Sequence, residues 1–245
     1  MITPQPFNIE IADPTWRTCI KQALEKMDPN YLEKLYNTTD WLPGHDKIFN
    51  AFTLPLNQTQ YILFGESPYP RPTSANGYAF HDAAVDQLWS ENGLSKPVNR
   101  ATSLRNIIKM LLVAEGLLNP ANTSQSAIAN LCKKNLVKTN QELFENFSAK
   151  GFLLLNATPV LRTGQVQKDA RAWQPFIEHV VHFILKNQPD TQLVLLGNIA
   201  NSINKFIPSN ETQRFYAEHP YNVSFITNKK VIDFFTPLHL LTPHY

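Results

Sequence analysis

The sequence predicts an α/β protein built on a mostly parallel sheet, and two observations carry that expectation. Residues 61–64, 152–155 and 193–196 are short apolar runs without a charge, the composition of strands covered on both faces. Helical patterns at 103–118 and 173–186 separate them. Strands that alternate with helices pair in parallel, because each helix carries the chain back to the edge where the next strand starts. A weaker run at 214–217 supplies a fourth strand. The expected architecture is one domain over 1–245, with a central four-stranded, mostly parallel sheet flanked by helices.

Pro14 precedes an apolar stripe over 16–27 that reads as a helix. Asp28-Pro29 ends it, since the residue before a proline is driven out of the helical region. Residues 90–101, rich in Asn, Ser, Pro and Gly, read as a loop. There is no internal repeat to suggest a second architecture.

In open parallel sheets, ligands bind beyond the carboxyl ends of the strands. The first strand is followed by Gly65-Glu66-Ser67-Pro68-Tyr69-Pro70, and the second by Asn156-Ala157-Thr158-Pro159. Gly197-Asn198 follows the third, and Glu218-His219-Pro220-Tyr221 the fourth. Acceptors, donors, an imidazole and a carboxylate are therefore expected along one edge.

Composition narrows the function only slightly. With 43% hydrophobic and 17% charged residues over 245 positions, the chain can bury a sizeable core. A net charge of +2 permits a basic groove without requiring one. Cys19 and Cys132 are too few for a zinc ribbon or an iron–sulfur cluster and read as reduced thiols. The N-terminus lacks the basic start and apolar run of a signal peptide, and no apolar stretch reaches the roughly 18 residues of a membrane span. These features lead us to expect a soluble, cytoplasmic protein.

Taken singly, the polar residues have plain structural readings. Asn156 can be a turn residue, Phe80 a core side chain, His219 a stiff loop histidine and Tyr69 a turn between prolines. His179 and His182 share a helix without a third ligand at metal-site spacing, and Lys133-Lys134 read as a solvated face.

In order along the chain, however, the motifs resemble those of the uracil-DNA glycosylases, closest to family 1. Gly65-Glu66-Ser67-Pro68-Tyr69 with Gly77-Tyr78-Ala79-Phe80 is similar to the family's water-activating loop, and Lys47-Ile48-Phe49-Asn50-Ala51-Phe52 before it also has a counterpart. Ser103-Leu104-Arg105-Asn106-Ile107 resembles the helix start after the proline-rich loop. The segment 151–157, followed by Arg162-Thr163-Gly164-Gln165 and Trp173, resembles the uracil-recognition strand and the stretch beyond it. His219-Pro220 falls at the DNA-intercalation loop.

The resemblance implies a role for each residue. Phe80 would stack under a flipped base, Asn156 would pair with its N3–H and O4, and Tyr69 would stand against the C5 edge where thymine carries a methyl group. His219, neutral, would donate to O2 as charge builds on the leaving base, with Glu66 and Ser67 as the other catalytic residues. Val223 would be the apolar wedge, and Ser103, Ser224 and Arg71 would meet phosphates. The implied partner is uracil-containing DNA, single- or double-stranded, bound by a monomer without cofactor or metal. A protein inhibitor or repair proteins would be further partners.

The sequence also departs from the family. Ser67 stands where the family has an aspartate that orients water and stabilises the sugar cation, and Glu66 replaces a glutamine. Another branch of the superfamily has Gly-Glu at this place, but it carries an iron–sulfur cluster. Tyr221 and Asn222 replace a serine and a proline, the prolines before Ser103 are missing, and Pro70-Arg71-Pro72 replaces glycines. Three readings stay open: a glycosylase with a rewired site, a glycosylase fold kept as a DNA- or protein-binding module, and excision of a different damaged base.

Overall fold

The computed structural model describes residues 7–207 and 213–243. The first residues of the segment read for a targeting signal, 1–6, lie outside them. In chain order the described residues form α1 (Arg17–Glu25), α2 (Pro29–Tyr36), β1 (Tyr61–Gly65), β2 (Trp89–Ser90) and β3 (Gly93–Leu94). These are followed by α3 (Lys96–Arg100), α4 (Thr102–Ala114), α5 (Gln125–Ala129), α6 (Asn140–Ala149) and β4 (Phe152–Asn156). The last elements are α7 (Val166–Asn187), β5 (Gln192–Leu196), α8 (Ile199–Ile203), β6 (Arg214–Ala217) and α9 (Lys229–Phe235). Two compact units result, one from residues 1–79 and 151–215, the other from 80–150 and 216–245.

The four expected strands form, among the described residues, a sheet of order β4-β1-β5-β6. In the first unit β1 pairs in parallel with β4, from Tyr61↔Phe152 to Gly65↔Asn156, and on its other side in parallel with β5. Every residue of β4 is buried, as its unbroken apolar run requires. The core beside the sheet is aromatic: Trp16, Phe49, Phe52, Trp173 and Phe176 are all within it. Phe49 stacks on Phe176 with centroids 6.0 Å apart, and Trp173 meets Phe176 edge-on at 5.0 Å.

Two indoles buried in that core have partners for their N–H groups. Trp16 Nε1 donates to Leu54 O at 2.6 Å, and Trp173 Nε1 donates to the Tyr31 hydroxyl at 3.1 Å. That hydroxyl donates to Asp169 Oδ1 at 2.8 Å, and Asp169 also takes the Arg162 guanidinium and the Arg162 N–H. Burial and the Asp169 carboxylate push the Tyr31 phenol upward. Arg162 and Trp173 are thus occupied in tying the start of α7 to α2. The tie explains why α7 begins at Val166 rather than at 173. Pro175 sits inside the helix, but the stripe Trp173, Phe176, Ile177, Val180, Val181 and Ile184 buries enough apolar surface to carry it through.

Three further boundaries differ from expectation. The first helix ends at Glu25, before Asp28-Pro29, and that dipeptide instead starts α2: Asp28 accepts from Asn30 N, and Pro29 occupies the first turn, where its missing N–H costs nothing. The supposed loop at 90–101 contains the β2–β3 hairpin and α3. Finally, α4 stops at Ala114 rather than 118, because Gly116 adopts φ 69° and its N–H returns to Val113 O, a left-handed helix end.

In the second unit His81 is buried flat against Phe144, with centroids 4.5 Å apart and 6° between planes. Burial pushes its pKa down to about 4, against the smaller upward pull of Asp82 and Glu145. An unfolded chain takes up that proton near pH 6.5, whereas the folded chain resists it until about pH 4. The associated stability is complete above pH 6.5 and disappears as the pH falls toward 4, roughly 3 kcal/mol in all. Urea unfolding of the unsubstituted protein and of His81→Gln at pH 7 and pH 4 should show that much additional loss for the former. Parallel behaviour of the two would exclude a neutral buried imidazole.

Candidate active site

In the first unit the sheet register does the positioning. Gly65, the last residue of β1, lies opposite Asn156, the last of β4. Asn156 is only 4% exposed. A β-carbon at position 65 would lie 2.5 Å from Asn156 Oδ1 and 2.9 Å from the Ala79 β-carbon. The amide therefore rests on the strand end, in space that only glycine leaves open. Two further bonds zip the loops together, Ala157 N to Gly65 O and Thr158 N to Glu66 O, both 2.9 Å.

The loop beyond Gly65 has Glu66 exposed, Ser67 and Tyr69 half-buried and Pro68 buried. Arg71 is exposed in its own turn, its carbonyl accepting from Ser74 N and Ala75 N at 3.0 Å. The segment leading to Phe80 is clamped. Gly77 has φ 89° and a β-carbon there would meet Lys47 O at 2.0 Å. Asn50 Nδ2 donates to Asn76 O at 2.8 Å, and Ala79 N donates to Leu154 O at 3.0 Å, two residues before Asn156.

In the second unit Phe80, the next residue in the chain, is 9% exposed and has φ 62°. A non-glycine residue in that left-handed region costs on the order of 1–2 kcal/mol, a strain that persists only where the surroundings over-determine it. Its ring lies 5.9 Å from the His219 ring, tilted by 40°. His219 Nδ1 accepts from Tyr221 N at 3.0 Å. A ring nitrogen that accepts carries no proton, so the proton of the neutral imidazole is on Nε2, which is thereby a donor.

The His219 loop is held from below. Asn106, 1% exposed in α4, donates through Nδ2 to the carbonyls of Pro220 (2.8 Å), Tyr221 (3.3 Å) and Asn222 (3.4 Å). Its Oδ1 accepts from Arg105 Nε at 3.3 Å, which orients the amide. Glu218 accepts from the Ser224 hydroxyl and, at 3.1 Å, from Asn228 Nδ2. The Ser224 hydroxyl proton is thus engaged by a carboxylate. Val223 is 70% exposed at the loop tip, and Ser103 is half-buried in the first turn of α4.

Asn106 and Glu218 received no role from the sequence. Asn106 did leave a signal, a polar residue at i, i+4 and i+7 spacing with Met110 and Val113, which are buried in α4. Of the paired histidines on α7, His182 Nε2 lies 2.9 Å from Phe206 O, and His179 stacks on Phe183. Among the described residues no group of three His, Cys, Asp or Glu side chains is placed to hold a metal ion.

No protein-family model matches the chain. The uracil-DNA glycosylase of Azobacteroides pseudotrichonymphae is 29% identical over 204 residues, 82% of this chain and 76% of that protein. The crystal structure of UNG from Nitratifractor salsuginis is similar over 95% of this chain and 94% of its own, with 41% identity and a TM-score of 0.91. The chain belongs to the uracil-DNA glycosylases. The mimivirus uracil-DNA glycosylase, 16% identical with a TM-score of 0.61 over 88% of this chain, shares the fold. In this glycosylase chain one unit offers a seated amide beside a half-buried loop, and the other offers an aromatic ring beside an imidazole donor. An amide presents an acceptor and a pair of donors, the pattern that reads a base edge. Among the described residues, no helix is long and apolar enough to cross a membrane.

Proposed function

We propose that this protein hydrolyses the N-glycosidic bond of deoxyuridine in DNA, the opening step of base excision repair. Its family membership supports the reaction, and the Gly65–Asn156 seating is the observation that carries it to these residues. A base must leave the stack to be read in this way. Asn156 Nδ2 donates to uracil O4, and its Oδ1 accepts from N3–H. Phe80 stacks on the ring and Tyr69 excludes a C5 methyl group. As the C1′–N1 bond breaks, the base departs with the bonding electrons and negative charge gathers on O2. His219 Nε2–H donates to that oxygen, assisted by the N–H groups of Glu66 and Ser67. Water adds to C1′, its proton goes to solvent, and no cofactor enters the balance. Glu66, or a water held by Ser67, supports the sugar cation. Val223 fills the vacated space, and Ser103, Arg71 and the Ser224 main chain meet phosphates.

The action is cytoplasmic, a reading supported by the unpaired cysteines Cys19 and Cys132. The protein acts as a monomer, with a protein inhibitor or repair protein as its macromolecular partner.

A binding-module reading rests on Ser67, a neutral residue where we place the family's aspartate. The rate on a uracil-containing oligonucleotide separates the two readings. In a rewired site Ser67→Asp changes kcat/KM by only a few-fold. In a degraded one it raises turnover from near background by about 100-fold or more, the magnitude typical of one well-placed electrostatic group. We expect the first outcome.

A further inference from the structure

We propose that Tyr221 is a second nucleic-acid contact, a stacking platform for an unpaired base neighbouring the excised one, which biases the protein toward single-stranded DNA. The proposal rests on the glycosylase reading above and goes beyond it in strand preference.

Residues 221–224 are all exposed, between buried anchors at Pro220 and at Phe225 and Ile226. Two of the four are large and apolar, Tyr221 at 67% and Val223 at 70% exposed. No charge occurs from His219 to Asn228. Such a tip would collapse or flex if it were merely loose, but this one is braced. Asn106 spans three successive carbonyls beneath it, Asn222 N returns to His219 O at 2.9 Å, and Phe225 N returns to Asn222 O at 3.2 Å. A preset loop loses little conformational freedom on binding, so an exposed ring on it is a ready contact.

The occupant follows from where the ring is rooted. Tyr221 N is the donor that sets the His219 tautomer, so its ring stems from the residue whose amide orients the group facing the leaving base. A base next to the flipped one lies within a few ångströms of that point on the strand. An aromatic face stacks on any base, which suits a contact that must tolerate sequence. In a duplex the neighbouring base is already stacked and paired, so the ring gains little there. In a single strand its face is open.

Binding of a uracil-free oligonucleotide, single-stranded and as a duplex, tests this by fluorescence anisotropy with the full chain, Tyr221→Ala and Tyr221→Phe. Tyr221→Ala should weaken single-strand binding roughly tenfold, within the range of one base–aromatic stack. Tyr221→Phe should bind as the unsubstituted chain does, and duplex binding should change less than twofold. Unchanged binding by Tyr221→Ala, equal weakening on strand and duplex, weakening by Tyr221→Phe to match Ala, or no saturable binding by the unsubstituted chain would each overturn the proposal. A thermal midpoint confirms that the exposed substitution leaves the fold intact. Because the probe contains no uracil, failure here is separate from failure of the glycosylase reading, which is scored by uracil release.

Discussion

Gly65→Ala is expected to lower kcat/KM on uracil-containing DNA by about 100-fold or more while the protein stays folded. The new methyl group would sit 2.5 Å from Asn156 Oδ1, well inside contact distance. That oxygen ends a side chain, so the amide can swing away without moving the sheet. The second neighbour, the Ala79 β-carbon at 2.9 Å, asks for a shift of a few tenths of an ångström. Overpacking of this kind costs roughly 1–3 kcal/mol of stability. Activity responds far more, because displacement of a reading group by about 1 Å is worth two orders of magnitude. Gly116→Ala is the control. That glycine has φ 69° and open space around it, so the substitution strains a helix end by about 1 kcal/mol and leaves the rate alone. Steady-state kinetics and a thermal melt on the two variants check both halves. Equal activity in Gly65→Ala and the unsubstituted protein would mean that the amide at Asn156 does not read the substrate.

Asn156 itself carries the other large effect. Asn156→Asp keeps the shape and loses both amide donors, while placing a carboxylate at a site only 4% exposed. Uracil presents an acceptor at O4 and a donor at N3, whereas cytosine presents a donor at N4 and an acceptor at N3. Exchanging amide for carboxyl therefore removes the pairing that favours uracil. Excision of uracil is expected to fall by about 100-fold, and the preference for uracil over cytosine to shrink. Release of each base from matched oligonucleotides measures this, and unchanged discrimination would remove Asn156 from base reading.

The sheet was legible in the sequence because buried parallel strands are written as uninterrupted apolar runs. Residues 61–64, 152–155 and 193–196 each fall inside an observed strand, and so does the weaker, partly polar run at 214–217. Helix limits were less legible where tertiary contacts set them. The Tyr31–Asp169–Arg162 cluster that starts α7 draws on residues 138 apart in the chain, beyond any local pattern. The residues at the strand ends could be named from order and resemblance. Their geometry could not, since it depends on register: Gly65 facing Asn156 is a fact of pairing. The supports of the His219 loop were hidden for the same reason. Asn106 reaches carbonyls 114 to 116 residues away, and main-chain acceptors have no sequence signature. The engagement of Ser224 by Glu218 was likewise invisible to a reading that took the serine as a phosphate contact.

The most direct measurement is strand scission by hot alkali at abasic sites after incubating the purified protein with a uracil-containing oligonucleotide, single- and double-stranded, beside Asn156→Ala. Alkali-labile cleavage at the uracil position after treatment with the unsubstituted chain, reduced about 100-fold or more with the variant, is the predicted result. No cleavage of either strand form, or cleavage undiminished in Asn156→Ala, would contradict it.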